Sequence, residues 1–332
     1  MLQRKASIPS QDYAVNDSSL PKIIIICGPT GVGKTGFAIR LAQRFGGQIV
    51  GADSMQIYRR MDIGTAKPTA EEKARVCHHM VDIVDPDEPF DAAAYGLRAG
   101  EVIQGLIAGE VVPFVVGGTG LYIKALVYGL FQGRAVDQEA RRRLKAQLAQ
   151  EGPAGLHDRL TRLDPLAAGR IHPNDAYRIL RALEVVESTG RSISEHHGTH
   201  GFAQARYQAL TIGLTLPREQ LYARIDQRVE AMLAAGLLDE VRGLLTSGYD
   251  PGLKSMQSLG YRHMVDFIHG RLTWEEALRT LQRDHRRYAK RQITWFNAVA
   301  GIRWLAPDQI ADAAALVEAF LLRTPGSKFC IK

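Results

Sequence analysis

Three observations predict an α/β fold: a mostly parallel sheet core, a helical insertion domain and a helical C-terminal part. Ile23-Ile24-Ile25-Ile26-Cys27 is a continuous apolar run, the texture of a strand buried on both faces of a parallel sheet. Similar short runs recur between helical stretches, and strands alternating with helices imply a doubly wound sheet. After Leu130 the texture changes, and from Phe131 to Gln204 helix patterns dominate without a convincing strand.

Taken in order, residues 1–20 mix charges with Ser, Asn and Asp and read as a loose tail. They hold no apolar stretch long enough for a signal peptide. The strand Ile23 to Cys27 is followed by glycines and by helical spacing over Thr35 to Phe45. Gln48 to Ala52 reads as a second strand ending at Asp53, and Met80 to Val84 as another. Ala92 to Ala108 is helical. Val111 to Val116 is the clearest later strand; it runs into Gly117-Gly118-Thr119 and a helix from Leu121 to Val127. In open α/β sheets ligands bind at the carboxyl ends of strands, so Gly28, Asp53 and Thr119 are expected to share a crevice. The core is assigned to residues 21–130 and 205–332, with residues 131–204 as the insertion. Within the insertion, Arg141-Arg142-Arg143 and Lys145 open a basic helix, and Pro173-Asn174-Asp175 caps a helix running through Val186. Gly198 to Gly201 reads as a turn, Tyr207 to Leu216 as a strand returning to the sheet, and the chain from Arg218 onward as largely helical.

The 332 residues, 45% hydrophobic and 23% charged, suffice for a sizeable core in a soluble protein. A net charge of +7 fits a nucleic-acid or phosphate partner and a merely basic enzyme equally well. Cys27, Cys77 and Cys330 are too few and too scattered for a disulfide framework or a zinc site, which fits a reducing cytoplasm. The run Ile23 to Cys27 is too short to span a membrane, and the terminal Phe-Cys-Ile-Lys is not a prenylation box.

Gly28-Pro29-Thr30-Gly31-Val32-Gly33-Lys34-Thr35 fits the P-loop pattern and lies between a strand and a helix, the context that gives the pattern meaning. Its glycines let backbone N–H groups curve round a phosphate, and the helix start adds partial positive charge. Lys34 supplies a point charge, and the Thr35 hydroxyl suits a magnesium ion. The loop specifies a diphosphate or triphosphate but no reaction. Asp53 stands where a general base would, and equally where a helix cap would. Thr119 either bonds a phosphate oxygen or caps the next helix, and Lys124 lies one turn further on. Thr65 and Lys67 sit in a polar loop that approaches phosphates on one reading. His78 and His79, adjacent on a strand, point to opposite faces and are assigned structural or surface roles rather than a metal. Arg224 and Arg228, four apart, serve either a pyrophosphate or a neighbouring carboxylate such as Asp226 or Glu230. From Arg283 to Phe296 the charge is densest. Arg283, Arg287 and Arg291 share one helix face that Trp295 continues, a combination suited to phosphates and unstacked bases, although a solvated face reads the same way. A P-loop kinase acting on a small alcohol fits these residues too.

Taken together the motifs resemble the bacterial tRNA dimethylallyltransferases of the tRNA isopentenyltransferase family. After the P-loop come Asp53-Ser54-Met55-Gln56-Ile57-Tyr58, Met61 to Pro68, His79 to Pro86, Val116 to Tyr122, Arg170 to Asp175, Leu259-Gly260-Tyr261-Arg262 and Lys290 to Trp295, in that order. The resemblance runs from Ile23 to Trp304. It implies a P-loop NTPase-like fold whose loop, with Arg228, holds the diphosphate of dimethylallyl diphosphate, with Mg2+ near Thr35 and Lys34 at the leaving group. It implies Asp53 as the base that deprotonates the exocyclic amine of the adenosine 3′ to the anticodon, and Thr119 at the reaction centre. The segments matching tRNA contacts are Asp53, Ser54, Met55 and Gln56; Thr119; Arg141; Tyr177, Arg178, Ile179, Leu180 and Arg181; Gln257, Ser258, Leu259, Gly260, Tyr261 and Arg262; and Lys290, Arg291, Gln292, Ile293, Thr294, Trp295, Phe296 and Asn297. The insertion would grip the anticodon stem. A cytoplasmic monomer is expected, since nothing resembles a dimer seam; related enzymes that prenylate free adenine nucleotides are the nearest alternative.

Overall fold

The computed structural model describes residues 20–129, 138–195 and 204–322. The expectations for the N-terminal tail, the 198–201 turn and the chain end fall outside them. Packing divides the chain into two units. The first takes in the described residues of Met1–Glu88, Val102–Gly120 and Gln204–Lys332, the second those of Pro89–Glu101 and Leu121–Ala203.

The first unit is built on a six-stranded parallel sheet: β1 (Lys22–Cys27), β2 (Gly47–Gly51), β3 (His78–His79), β4 (Val112–Gly117), β5 (Gln208–Leu214) and β6 (Arg303–Leu305), in the order β3-β2-β4-β1-β5-β6. The isoleucine run is the innermost part of the sheet. Ile23, Ile24 and Ile26 are fully buried because β4 and β5 flank β1 and the sheet is covered on both faces. α1 (Lys34–Arg44) leaves β1 through the P-loop and buries Phe37, Ile39 and Leu41 in a cluster with Phe114, Ile212 and Leu214. Lys22, at the start of β1, donates from Nζ to the carbonyls of Phe320 and Leu321, terminating α12 (Ile310–Leu322) with a cation as helix C-termini favour.

One strand expectation is corrected. Met80 to Val84 is not a strand; β3 is the His78–His79 pair before it. Met80 and Asp82 have φ of +62° and +59°, a left-handed backbone that no strand tolerates. The segment instead runs beside residues 56–58, with Ile83 N–H on the Ile57 carbonyl and a bridge between Tyr58 and Val84. The histidines are structural: His78 Nδ1 lies 2.8 Å from the Val76 carbonyl and His79 Nε2 2.7 Å from Gln48 Oε1.

Between strands lie α2 (Ala70–Arg75), closed by a Thr69–Glu72 capping box, α3 (Ala92–Ala108) and α4 (Gly120–Tyr128). In the second unit, α5 (Gln138–Leu163) breaks at Gly152, where φ is +71° and Pro153 starts the next segment. It is followed by α6 (Pro165–Ala168) and α7 (Ala176–Thr189), which is capped by the Asp175 carboxylate on Arg178 N–H. Leu144, Leu156, Leu160, Ile179 and Leu183 form this unit's core, and Tyr95 stacks on Tyr122 with centroids 4.2 Å apart. The first unit resumes after β5 with α8 (Arg218–Ala234), α9 (Leu237–Thr246), α10 (Tyr261–Ile268) and the long α11 (Trp274–Asn297), entered through a Thr273–Glu276 capping box.

Candidate active site

The P-loop adopts the backbone its glycines permit. Gly28, Gly31 and Gly33 have φ of +141°, +80° and +99°. A Cβ on Gly28 would meet the Leu214 carbonyl oxygen at 2.6 Å, so glycine is also what lets the loop cross the end of β5. Lys34 folds back over the loop and donates from Nζ to the Pro29 carbonyl at 2.8 Å. Burial and the nearby Arg228 lower its pKa to about 8, against the pull of Asp53. Thr35 follows at the start of α1.

Asp53 leaves the end of β2 and faces the same crevice. One carboxylate oxygen accepts from Met55 N–H at 2.8 Å and, more loosely, from Gln56 N–H at 3.4 Å. The sequence left cap and base as alternatives; the cap is present, but it uses Oδ1 alone. Residues 54–57 form turns rather than a helix. Thr119 belongs to the same assembly. Its N–H donates to the Ala52 carbonyl at 3.1 Å, and its Oγ1 accepts from Ser54 N–H at 3.1 Å. The ends of β2 and β4 are thereby stitched together, with Gly117 lying so close to Ala52 that a Cβ would stand 2.0 Å from its carbonyl oxygen.

Arg228, on α8, is the second cation of the crevice. Burial lowers its pKa while the charge of Asp53 opposes that shift. Its buried Nε has no hydrogen-bond partner among the described residues, and the adjacent carboxylate Asp226 is committed to Arg286 at 2.5 Å. Asp226, one of the carboxylates the sequence offered to Arg228, is thus taken by another residue, and the charge that acts on Arg228 is that of Asp53.

The inner face of α11 supplies side chains that the charge pattern hid. His285, Tyr288, Gln292 and Trp295 repeat at helical spacing on that face. His285 lies beside Arg228, and burial, with the Arg228 charge second, holds its pKa down to about 4. The half-buried Tyr288 hydroxyl is hydrogen-bonded with Thr119 and Gln292; burial and the Asp53 charge raise its pKa. The Trp295 indole lies on Gly120, where a Cβ would stand 2.0 Å from Nε1.

The remaining expected residues fall into two groups. Tyr177, 72% exposed, stands on α7 of the second unit. Beside it in sequence Arg178 pairs with Asp175, while Arg181 and Arg141 both reach the buried Glu184. In the first unit Gln257, Lys290, Arg291, Thr294 and Asn297 are exposed, while Ser54, Met55, Ser258, Leu259 and Ile293 are half-buried. Ile179, Tyr261 and Phe296 are buried core side chains, Gly260 is buried with φ of +90°, and Leu180 is half-buried against the second unit's core; these shape the surface from beneath. The row Arg283, Arg287 and Arg291 is partly neutralised. Asp284 takes ion pairs from Arg262, Arg283 and Arg287, and against burial Arg283, Arg262 and a hydrogen bond with His263 hold its pKa down to about 2. The loop Thr65–Lys67 does not reach for phosphates: Lys67, 4% exposed, is tied to Asp62, Asp82 and the Tyr58 carbonyl, and Thr65 Oγ1 donates to the Met61 carbonyl. Gln56 holds that loop through the Thr65 and Ala66 carbonyls.

The chain matches the family described as IPP transferase over residues 56–299, and that described as isopentenyl transferase over residues 21–79. It is 52% identical to the tRNA dimethylallyltransferase of Desulfatibacillum aliphaticivorans over 91% of this chain and 99% of that one. It is 49% identical to that of Geobacter sulfurreducens over 86% and 92%. The solved tRNA isopentenylpyrophosphate transferase of Bacillus halodurans is 40% identical, with a TM-score of 0.68 over 90% of this chain and 96% of that one. A eukaryotic dimethylallyltransferase acting on tRNA superposes with a TM-score of 0.77 at 28% identity, covering 92% of this chain and 80% of that one. With a P-loop, a carboxylate and two half-buried cations meeting at the carboxyl end of a parallel sheet, and with these matches along nearly its whole described length, the chain belongs to the tRNA dimethylallyltransferase family.

Proposed function

We propose that this protein transfers the dimethylallyl group of dimethylallyl diphosphate to the exocyclic N6 amine of the adenosine 3′ to the anticodon of tRNA, releasing diphosphate. The observation that carries this reading is the pairing of a P-loop with Asp53, Lys34 and Arg228 in one crevice. The leaving group is an anion, and cations together with loop amides stabilise the charge that develops on it. The acceptor is a weakly nucleophilic aryl amine, which a positioned carboxylate assists. As the N–C bond forms and the C–O bond to diphosphate breaks, the amine proton passes to the free oxygen of Asp53, while Oδ1 stays held by Met55 and Gln56. Thr119, fixed to Ser54, contacts the reacting atoms. The target base is stacked in free RNA, so it must be extruded into the crevice. The exposed Arg178, Arg181, Lys290, Arg291 and Trp295, and Arg141 with them, would hold the anticodon arm.

The residues fit a magnesium ion bound mainly through substrate. Among the described residues no cluster of three or more His, Cys, Asp or Glu could hold a metal alone. The Thr35 hydroxyl beside a diphosphate is the sparse protein contribution that magnesium accepts. When bound, the ion supplies further charge neutralisation at the diphosphate. No helix is long and apolar enough to cross a membrane among the described residues; a monomer in the cytoplasm, where tRNA is modified, completes the reading. The test is incorporation of labelled dimethylallyl diphosphate into unmodified tRNA, with and without a magnesium chelator. Magnesium-dependent label in tRNA supports it; label only in free adenine nucleotide, or in neither acceptor, overturns it.

A further inference from the structure

Gln292 lies in the segment expected to touch tRNA, yet its side chain points the other way. It is 6% exposed. Its Oε1 accepts from Thr30 N–H of the P-loop at 2.8 Å, and its Nε2 donates to the Gly118 carbonyl at 3.0 Å. It is also hydrogen-bonded with Tyr288, which in turn holds Thr119. A single amide therefore spans the donor loop on one side and the β4 turn bearing Thr119 on the other. Its contacts occupy both ends of the amide with opposite polarity, which no carboxylate or hydrocarbon of the same size reproduces. The fit is close: a Cβ on Gly118 would stand 2.1 Å from Nε2, whereas the next atoms, Gln292 Cδ and the Gly28 carbonyl, lie at 3.3 and 3.4 Å. On the outer side of the same helical turns stand the exposed Arg291 and Thr294.

Resting on the transfer reaction proposed above, we propose that Gln292 is a positioning residue that sets the phosphate loop against the Thr119 turn, and that it contributes to donor geometry rather than to tRNA contact. Reaction by in-line displacement needs the diphosphate and the extruded amine held at one spacing, and the Gln292 amide is what fixes the two protein segments that would hold them. Its loss leaves Thr30 N–H and the Gly118 carbonyl without their partners and lets the segments drift apart.

The test uses the full chain with labelled dimethylallyl diphosphate and unmodified tRNA, comparing wild type with Gln292→Leu, Gly118→Ala, Gln292→Ala and the double variant Gly118→Ala/Gln292→Ala. Transfer by wild type establishes the reaction independently of the variants. Gln292→Leu is expected to raise KM for the donor and lower kcat, together by about 10- to 100-fold in kcat/KM, because sub-ångström misplacement at a reacting centre has effects of that order. Its Kd for tRNA, measured without donor, stays within about twofold, which also shows that the variant is folded. Gly118→Ala reaches the same contact from the other side and gives the same split. In the double variant the clash is gone, so its kcat/KM is no lower than that of Gln292→Ala alone, where independent sites would show additive losses. Unchanged donor kinetics in Gln292→Leu, a defect confined to tRNA Kd, or additive losses in the double variant would each overturn the proposal.

Discussion

In the proposed reaction Asp53 has two roles within one side chain. Oδ1 is engaged by the amides of Met55 and Gln56, as a cap would be, while the other oxygen is left for chemistry. Asp53→Asn separates the roles, since an amide oxygen still accepts both N–H groups. Rapid-quench measurement of transfer is expected to show a loss on the order of 100- to 10,000-fold in kcat with thermal stability unchanged; near-normal turnover would leave Asp53 a structural residue only. Lys34 gives a pH signature. With its pKa lowered to about 8, its charge is present below that value and is lost above it, so anion binding weakens as pH rises. Donor KM measured from pH 7 to 9.5 is expected to climb above about pH 8, and Lys34→Met to show a high KM with no such climb. At this scale the sequence was informative wherever spacing encodes chemistry: the P-loop lysine and threonine needed only the pattern and its strand–helix context. Tyr288 and His285 were opaque because charged neighbours dominate their stretch, and only the helical repeat reaching back from Gln292 marks them.

α11 carries two faces with separate work. Its outer face presents Lys290, Arg291 and Thr294, and its inner stripe packs His285, Tyr288 and Gln292 against the crevice. The inner stripe has a cost in acid. His285 is held neutral down to about pH 4, while an unfolded histidine titrates near 6.5. The unfolded state therefore binds the extra proton first. Stability falls as pH drops below 6.5 and the penalty is complete near pH 4. The whole effect is about 3 kcal/mol by the usual conversion of a pKa difference. Thermal melts between pH 7 and 4 are expected to show this decline in wild type and a shallower one in His285→Gln; parallel curves would remove His285 as its source. Element boundaries were mostly readable, since α3 spans Ala92–Ala108 as its apolar spacing indicates and α7 begins at the Asp175 cap. The failure at Met80 to Val84 has a local cause. A short apolar run suggests a strand, but Met80 and Asp82 take up a left-handed backbone and Asp82 pairs with Lys67 and Lys73. Ion pairs of this kind leave no periodic trace in the sequence. Glu240 is a further case: its carboxylate accepts from the amides of Asp62, Ile63 and Gly64 and from the Tyr261 hydroxyl, fixing a loop nearly two hundred residues away in sequence.

Across the whole chain the net charge of +7 is distributed unevenly between use and display. Asp284, Glu184 and Glu187 absorb several arginines, so the positive surface available to an RNA is smaller than the count suggests. Binding of tRNA is expected to weaken steeply with salt, and Arg291→Ala or Arg178→Ala to reduce the slope of log K against log salt by about one each; a slope unaffected by either change would mean those side chains touch no phosphate. The ordered set of motifs identified the family across both units, whereas the assembly of the crevice depended on which strands become neighbours, which spacing along the chain does not state. That strand order also bears on how the protein is made. β1 is synthesised before its two neighbours, and of these β5 follows only after the chain of the second unit has been added. A ribosome still translating α7 therefore carries an isoleucine-rich strand with one edge unpaired, a species prone to stick to itself or to recruit a chaperone. Chains stalled before Gln208 are expected to be cut by protease at the P-loop, and chains extended beyond Leu214 and clear of the exit tunnel to resist, so that the catalytic loop is completed late in translation.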